Sequence, residues 1–193
     1  MKRLQFFLLI IFPIVVQGQS GFKEGFLIDK SGTRYEGFLK FEPGNEKQAG
    51  RVLFKESRTG KKEVYGTDYV KAFKIEKDSF TVLKEFVFAR QKTKAADFAK
   101  VLMVGSGGVV YSVEYVVEKS SGHATTEYKA LEENTKYLVL LNGKLVLLAA
   151  NNFTALANVV ADCTELKTNI TNKKRRYADL QKVIEEYRSC KRK

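Results

Sequence analysis

The 193 residues include only two cysteines, two prolines and one histidine. Each scarcity excludes something. A zinc site takes about four ligands at recognisable spacing. His123 and a thiol pair 27 residues apart do not fill one. Redox dithiols usually stand two residues apart beside a helix start, so Cys163 and Cys190 do not match that pattern either. With so few prolines and no low-complexity run, disorder and inter-domain linkers are disfavoured. No carboxylate pair has a context that marks it as an acid–base couple. His123 lies in the polar loop "SSGHAT" with no nucleophile or acid beside it. The sequence therefore nominates no catalytic residue, no cofactor and no metal ligand.

Long apolar runs are also scarce. Leu4 to Val16 forms one, broken only by Gln5 and preceded by Lys2 and Arg3. It is about 13 residues long, whereas a helix needs roughly 20 to span a bilayer. Val16-Gln17-Gly18 follows with residues a signal peptidase reads, which predicts a signal peptide over residues 1–18 and cleavage before Gln19. No cysteine stands directly after that point to take a lipid, and no transmembrane segment is expected after cleavage. An outer-membrane barrel is disfavoured because the chain closes in charged helical sequence. The expectation is an exported protein, periplasmic or extracellular. About 175 residues remain, enough for one domain with a sizeable core.

The formal charge is +12. Residues 164–193 hold ten Lys and Arg against four Asp and Glu, so the basicity is concentrated in the tail. Such a patch attracts anionic lipid, acidic polysaccharide or nucleic acid. For an exported chain, nucleic acid is the least available of the three.

From Phe22 to about Leu148 the pattern is of strands. "GFLIDKSGTRYEGFLKF" places two apolar-rich runs around Lys30-Ser31-Gly32, and "RVLFKE", "EVY" and "YVKAFKIE" follow. "FTVLKEFVFAR" is apolar on both faces and predicts a strand covered on both sides. Residues 91–99 form a polar connection. "VGSGGVV" has the glycines of a phosphate loop but no Lys-Ser/Thr ending and no following helix, so Gly105, Gly107 and Gly108 are expected in a turn or bulge. Tyr111, Val113, Tyr115 and Val117 share a strand face and fit a core. "ATTEYKAL" is a further strand, and Asn142-Gly143 closes a hairpin with a two-residue turn.

After Asn151 the period becomes helical. Phe153, Leu156, Val160, Cys163, Leu166 and Ile170 form one stripe, and Tyr177, Leu180, Ile184 and Tyr187 another. The fold class is α+β: a largely antiparallel β region over 19–150, barrel-like or a curved sheet, then a helical cap over 151–193 in the same domain. In an oxidising compartment the cysteine pair predicts a disulfide, Cys163 to Cys190. A simple helical hairpin would leave the two thiols out of reach, so a break is expected at Cys163. Asp162 and Glu165 have capping-box spacing there. Three helical pieces follow, near 152–161, 163–170 and 174–188. Lys173, Lys174, Arg175 and Arg176 are consecutive cations at the start of the last piece, where the helix dipole opposes them. They are a candidate anion-binding cluster, although four consecutive residues point in different directions and no aromatic ring interleaves them.

The hairpin with Gly25-Phe26, Ser31-Gly32-Thr33 and Gly37-Phe38, the "ADC" ending at Cys163 and the "YRSC" ending at Cys190 resemble a functionally uncharacterised family of short secreted proteins common in Bacteroidota. The resemblance implies export and a shared fold, and it supplies no activity. The sequence thus predicts a non-catalytic envelope or extracellular module for binding or structure, with an envelope protein, anionic lipid or polysaccharide as partner. The alternatives are a hydrolase of envelope polymers, or docking of the basic tail on anionic lipid or polysaccharide.

Overall fold

The computed structural model describes residues 21–89, 92–120 and 129–192. Residues 1–18, expected from sequence to be a signal peptide, and His123 lie outside them.

Eleven strands form one curved, open sheet, followed by helices. β1 (Lys23–Asp29) and β2 (Arg34–Glu42) make the first hairpin, with Gly32 at φ 93° in its turn. β3 (Gly44–Asn45) is two residues long. β4 (Arg51–Lys55), β5 (Glu63–Tyr65) and β6 (Val70–Ile75) are short, whereas β7 (Asp78–Ala89), β8 (Lys92–Gly105), β9 (Gly108–Ser120) and β10 (Lys129–Leu141) are long. β11 (Lys144–Leu147) completes the set. The hydrogen-bonded order is β11-β10-β9-β8-β7-β6-β1-β2-β4-β5, and β3 pairs with β9 outside that path. All neighbours run antiparallel except β3 and β9.

Three packed groups form the core, two within the curved sheet and one between sheet and helices. Leu27, Leu39, Val52, Phe54, Val70, Phe73, Phe80 and Phe98 fill the first half. Leu83, Phe86, Ala99, Tyr111, Val113, Tyr115 and Leu138 fill the second, where β11 returns alongside β7. The tyrosine–valine face of β9 is thus core. β7 is covered on both sides, with Phe80 and Val82 in one group and Leu83 and Phe86 in the other. Leu83 and Phe86 are three apart yet enter the same core. Left-handed backbone at Glu85 (φ 49°) lies between them and breaks the simple alternation of a strand.

The third group joins the sheet to the helices. It includes Met103, Val110 and Val139 from the sheet and Phe153, Leu156, Val160, Cys163, Leu166, Ile170, Leu180, Ile184 and Tyr187 from the cap. Both helical stripes read from the sequence face it. A 3₁₀ turn (Ala150–Ala155) leads into α1 (Leu156–Val159), then come α2 (Thr164–Thr171), a second 3₁₀ turn (Tyr177–Asp179) and α3 (Leu180–Cys190). No described helix is long and apolar enough to cross a membrane.

Three details of the sequence reading change. Residues 92–99 are strand, not a polar connection, and two of their polar members, Lys94 and Asp97, are buried and bonded (below). The break at Cys163 exists, but not through a capping box: Cys163 itself is the cap residue without a side-chain bond, and Asp162 turns to Tyr187 and Lys191 instead. The last piece starts at Tyr177 rather than Lys174, because Lys173 is left-handed (φ 57°) and ends the preceding turn. The "ATTEYKAL" strand begins at Lys129 within the described residues and runs on unbroken to Leu141.

Candidate functional site

β8 and β9 are paired only from Lys100 and Ser112 to their shared turn. Away from that turn they part, and the chain between β2 and β4 fills the split as a wedge. On one side of it Gly44 and Asn45 pair with Tyr115 and Val116 of β9. On the other, the Gly50 N–H donates to Asp97 Oδ1 on β8 at 2.8 Å. The wedge is also ordered internally. Asn45 Oδ1 accepts from the N–H groups of Lys47 and Gln48 at 2.8 and 2.9 Å, a local turn that asparagine favours.

Asp97 is fully buried and Lys94 nearly so. The Phe98 N–H also donates to Asp97 Oδ1, at 2.8 Å. Lys94 Nζ donates to Asp97 Oδ2 and to the Gln48 carbonyl, the latter at 3.3 Å. Both carboxylate oxygens are therefore engaged, as a buried charge requires. Residues 94 and 97 would face opposite ways on a regular strand. They meet here because they stand opposite Phe86 and Leu83, on either side of the irregularity at Glu85.

A groove of about 630 Å³ lies between the wedge and β9. Pro43, Ala49, Val116 and Val117 give it apolar lining, and Glu42, Glu46, Lys47, Gln48 and Arg51 give it polar walls. Glu42 accepts from Arg51 Nε at 2.7 Å and from Lys40 Nζ at 3.3 Å. The Arg51 bond, with Lys40 adding to it, holds the Glu42 carboxyl below the usual carboxylate range. This favours an ionised, paired role over a general acid.

A second polar cluster closes one end of the first core. Asp29 accepts from the Ser31 hydroxyl (2.6 Å), the Thr33 N–H (2.9 Å) and the Tyr35 hydroxyl (3.3 Å). Tyr65 stacks on Tyr69 with centroids 4.6 Å apart. A hydrogen bond with Tyr69 is the main cause that pushes the Tyr35 phenol up to about 12, and one with Glu63 raises that of Tyr65.

The basic cluster of the tail is divided by the fold. Arg175 turns back to make a two-pronged ion pair with Glu186 of α3. Lys173, Lys174 and Arg176 are exposed, and the Arg176 N–H is held by Asp179 at 2.8 Å. Cys163 and Cys190 form a disulfide with Cα atoms 6.4 Å apart, tying the start of α2 to the end of α3. The glycine run is the β8–β9 turn, and its glycines serve packing. A Cβ on Gly105 would lie 1.9 Å from the Val159 carbonyl oxygen, and one on Gly107 would lie 2.1 Å from that of Asn158.

Of the residues singled out from sequence, the disulfide pair comes together, and of the four cations Arg175 pairs with Glu186 while Lys173, Lys174 and Arg176 are exposed. The wedge and its buried ion pair were not anticipated. Their only sequence signal is the Pro43-Gly44-Asn45 break within a strand region. Comparison with family models, with curated proteins and with solved structures finds no match.

Proposed function

We propose that the chain is an exported, non-catalytic binding module of the cell envelope or extracellular space, and that the groove beside the wedge receives its partner. One observation carries this reading. The buried Lys94–Asp97 pair directs its bonds inward, to the wedge and to β8, and so holds a groove ready-made. Preorganisation of this kind favours binding, because little ordering remains to be done when a partner arrives. Export is supported by the pattern of residues 1–18 and by a disulfide that suits an oxidising compartment.

The test is a pull-down from envelope extract with tagged residues 19–193, washed at low and high salt. A partner retained at high salt and lost on Ala49→Trp, which fills the groove, is the expected result. A turnover activity abolished by one point substitution would overturn the reading in favour of a hydrolase.

A second reading has its own observation. Lys173, Lys174 and Arg176 remain exposed at one corner of the cap. Docking of the tail on anionic lipid or polysaccharide through them would weaken steeply with salt.

A further inference from the structure

The cations best equipped to hold an extended anion lie on the outer face of β1, β2 and β4, not in the tail. Side chains alternate along a strand, so the residues that flank Leu27, Leu39 and Phe54 point away from the first core. Two of them, Phe26 and Phe38, are phenylalanines, and Phe22 stands just ahead of β1; each of the three has a cation above its ring. The Arg34 guanidinium carbon stands 3.6 Å from the Phe26 centroid. Lys55 Nζ stands 4.8 Å from that of Phe22. The Arg58 guanidinium carbon stands 5.3 Å from that of Phe38. Phe38 is opposite Glu24, two residues from Phe26 on one side and Phe22 on the other. The rings therefore follow one another at steps of about 7 Å along the sheet. Further along β2 the strip passes Lys40 and reaches the Glu42–Arg51 pair at the mouth of the groove.

We propose that this strip binds an acidic polysaccharide. An arginine held over a ring still has N–H groups to offer, and a carboxylate can take two bonds from them. Arg34 and Arg58 now lean on Glu36 and Glu24 at 2.7 and 3.4 Å. Those pairs are largely solvent-exposed, and exposed pairs exchange partners at little cost. A single-stranded nucleic acid fits less well, because its bases need open ring faces and these are capped by cations. A lipid surface fits less well too, because the ring faces of the strip are covered by cations and not offered to acyl chains. The inference rests on the binding reading above but not on the groove.

The test is affinity electrophoresis of residues 19–193 through gels containing polygalacturonate, with dextran as the neutral control. Parallel assays use single-stranded DNA and phosphatidylglycerol vesicles. Polygalacturonate should retard the protein and dextran should not. The variant Arg34→Gln/Lys55→Gln/Arg58→Gln should bind about tenfold more weakly, since three exposed charge contacts are together worth about that factor. Lys173→Gln/Lys174→Gln/Arg176→Gln and Ala49→Trp should bind as the parent does, so failure of the groove reading would leave this result standing. Absence of retardation, unchanged binding by the strip variant, loss of binding by the tail variant, or tighter binding of DNA or vesicles would each overturn the proposal.

Discussion

The Tyr187 hydroxyl donates to Asp162 and lies 3.1 Å from each of its carboxylate oxygens, joining α3 to the α1–α2 junction beside the disulfide. Lys191 Nζ adds a bond at 2.9 Å. That bond is the main cause that lowers the Asp162 pKa, with Tyr187 contributing. A depressed carboxyl stabilises the fold fully above its unfolded pKa of about 3.9, and the benefit disappears as pH falls through the folded value. Asp162→Asn should therefore be about 1 kcal/mol less stable than the parent at pH 7. The gap should close below pH 4. Urea denaturation across that range measures it, and a gap that persists in acid would deny the charged contact.

Gly105 and Gly143 separate two reasons for a glycine. Gly105 lies against the α1 backbone, whereas Gly143 has φ 75° and nothing within 4 Å of where a Cβ would be. Gly143→Ala should cost about 1 kcal/mol, the usual strain of a left-handed residue. Gly105→Ala must push a helix off the sheet and should cost more than about 3 kcal/mol. Equal losses in thermal melts would show that the cap yields easily.

Lys94 and Asp97 should be far more sensitive than any exposed pair. Removing one member of a buried ion pair costs about 3–5 kcal/mol, because the other is left without a counter-charge. Lys94→Met should fall in that range. Asp97→Ala should be worse, since it also strands the N–H groups of Gly50 and Phe98. Hydrogen exchange at Gly50 reports this directly: it should accelerate in the aspartate variant before the rest of the sheet is affected.

The disulfide closes a separation of 27 residues. The chain-entropy account assigns such a closure about 3.5 kcal/mol. Cys163→Ser/Cys190→Ser should lower the melting temperature accordingly, and reductant should then have no further effect. If the parent melts identically with and without reductant, the bridge does not act as a staple.

Local chemistry was legible in the sequence. Asn142 and Gly143 both have positive φ, as the tight hairpin demands, and the cap stripes needed only their own period. The need to bring the thiols together even placed the break at Cys163. The wedge was not legible, for a physical reason. Its energetics depend on Asp97 meeting Gly50, and on a strand irregularity that brings residues 94 and 97 to one face. In sequence, Thr93 to Asp97 is simply a polar stretch. The cation–ring strip was hidden in the same way. Its members belong to separate strands and loops, and only the cross-strand register brings Phe38 beside Glu24 and Lys55. The four consecutive cations of the tail were conspicuous for the opposite reason, and the fold then drew Arg175 away to Glu186.

The wedge also sets an order in time. Gly50 is made 47 residues before the carboxylate that holds it, and Gly44 and Asn45 precede their β9 partners by a longer interval. A chain emerging from its N-terminus can form the first hairpin at once, but the wedge has nothing to dock on until β8 and β9 exist. Closure of such distant contacts is slow compared with local pairing. The groove is therefore a late product of folding, and a chain interrupted before β9 would have its first strands but no groove.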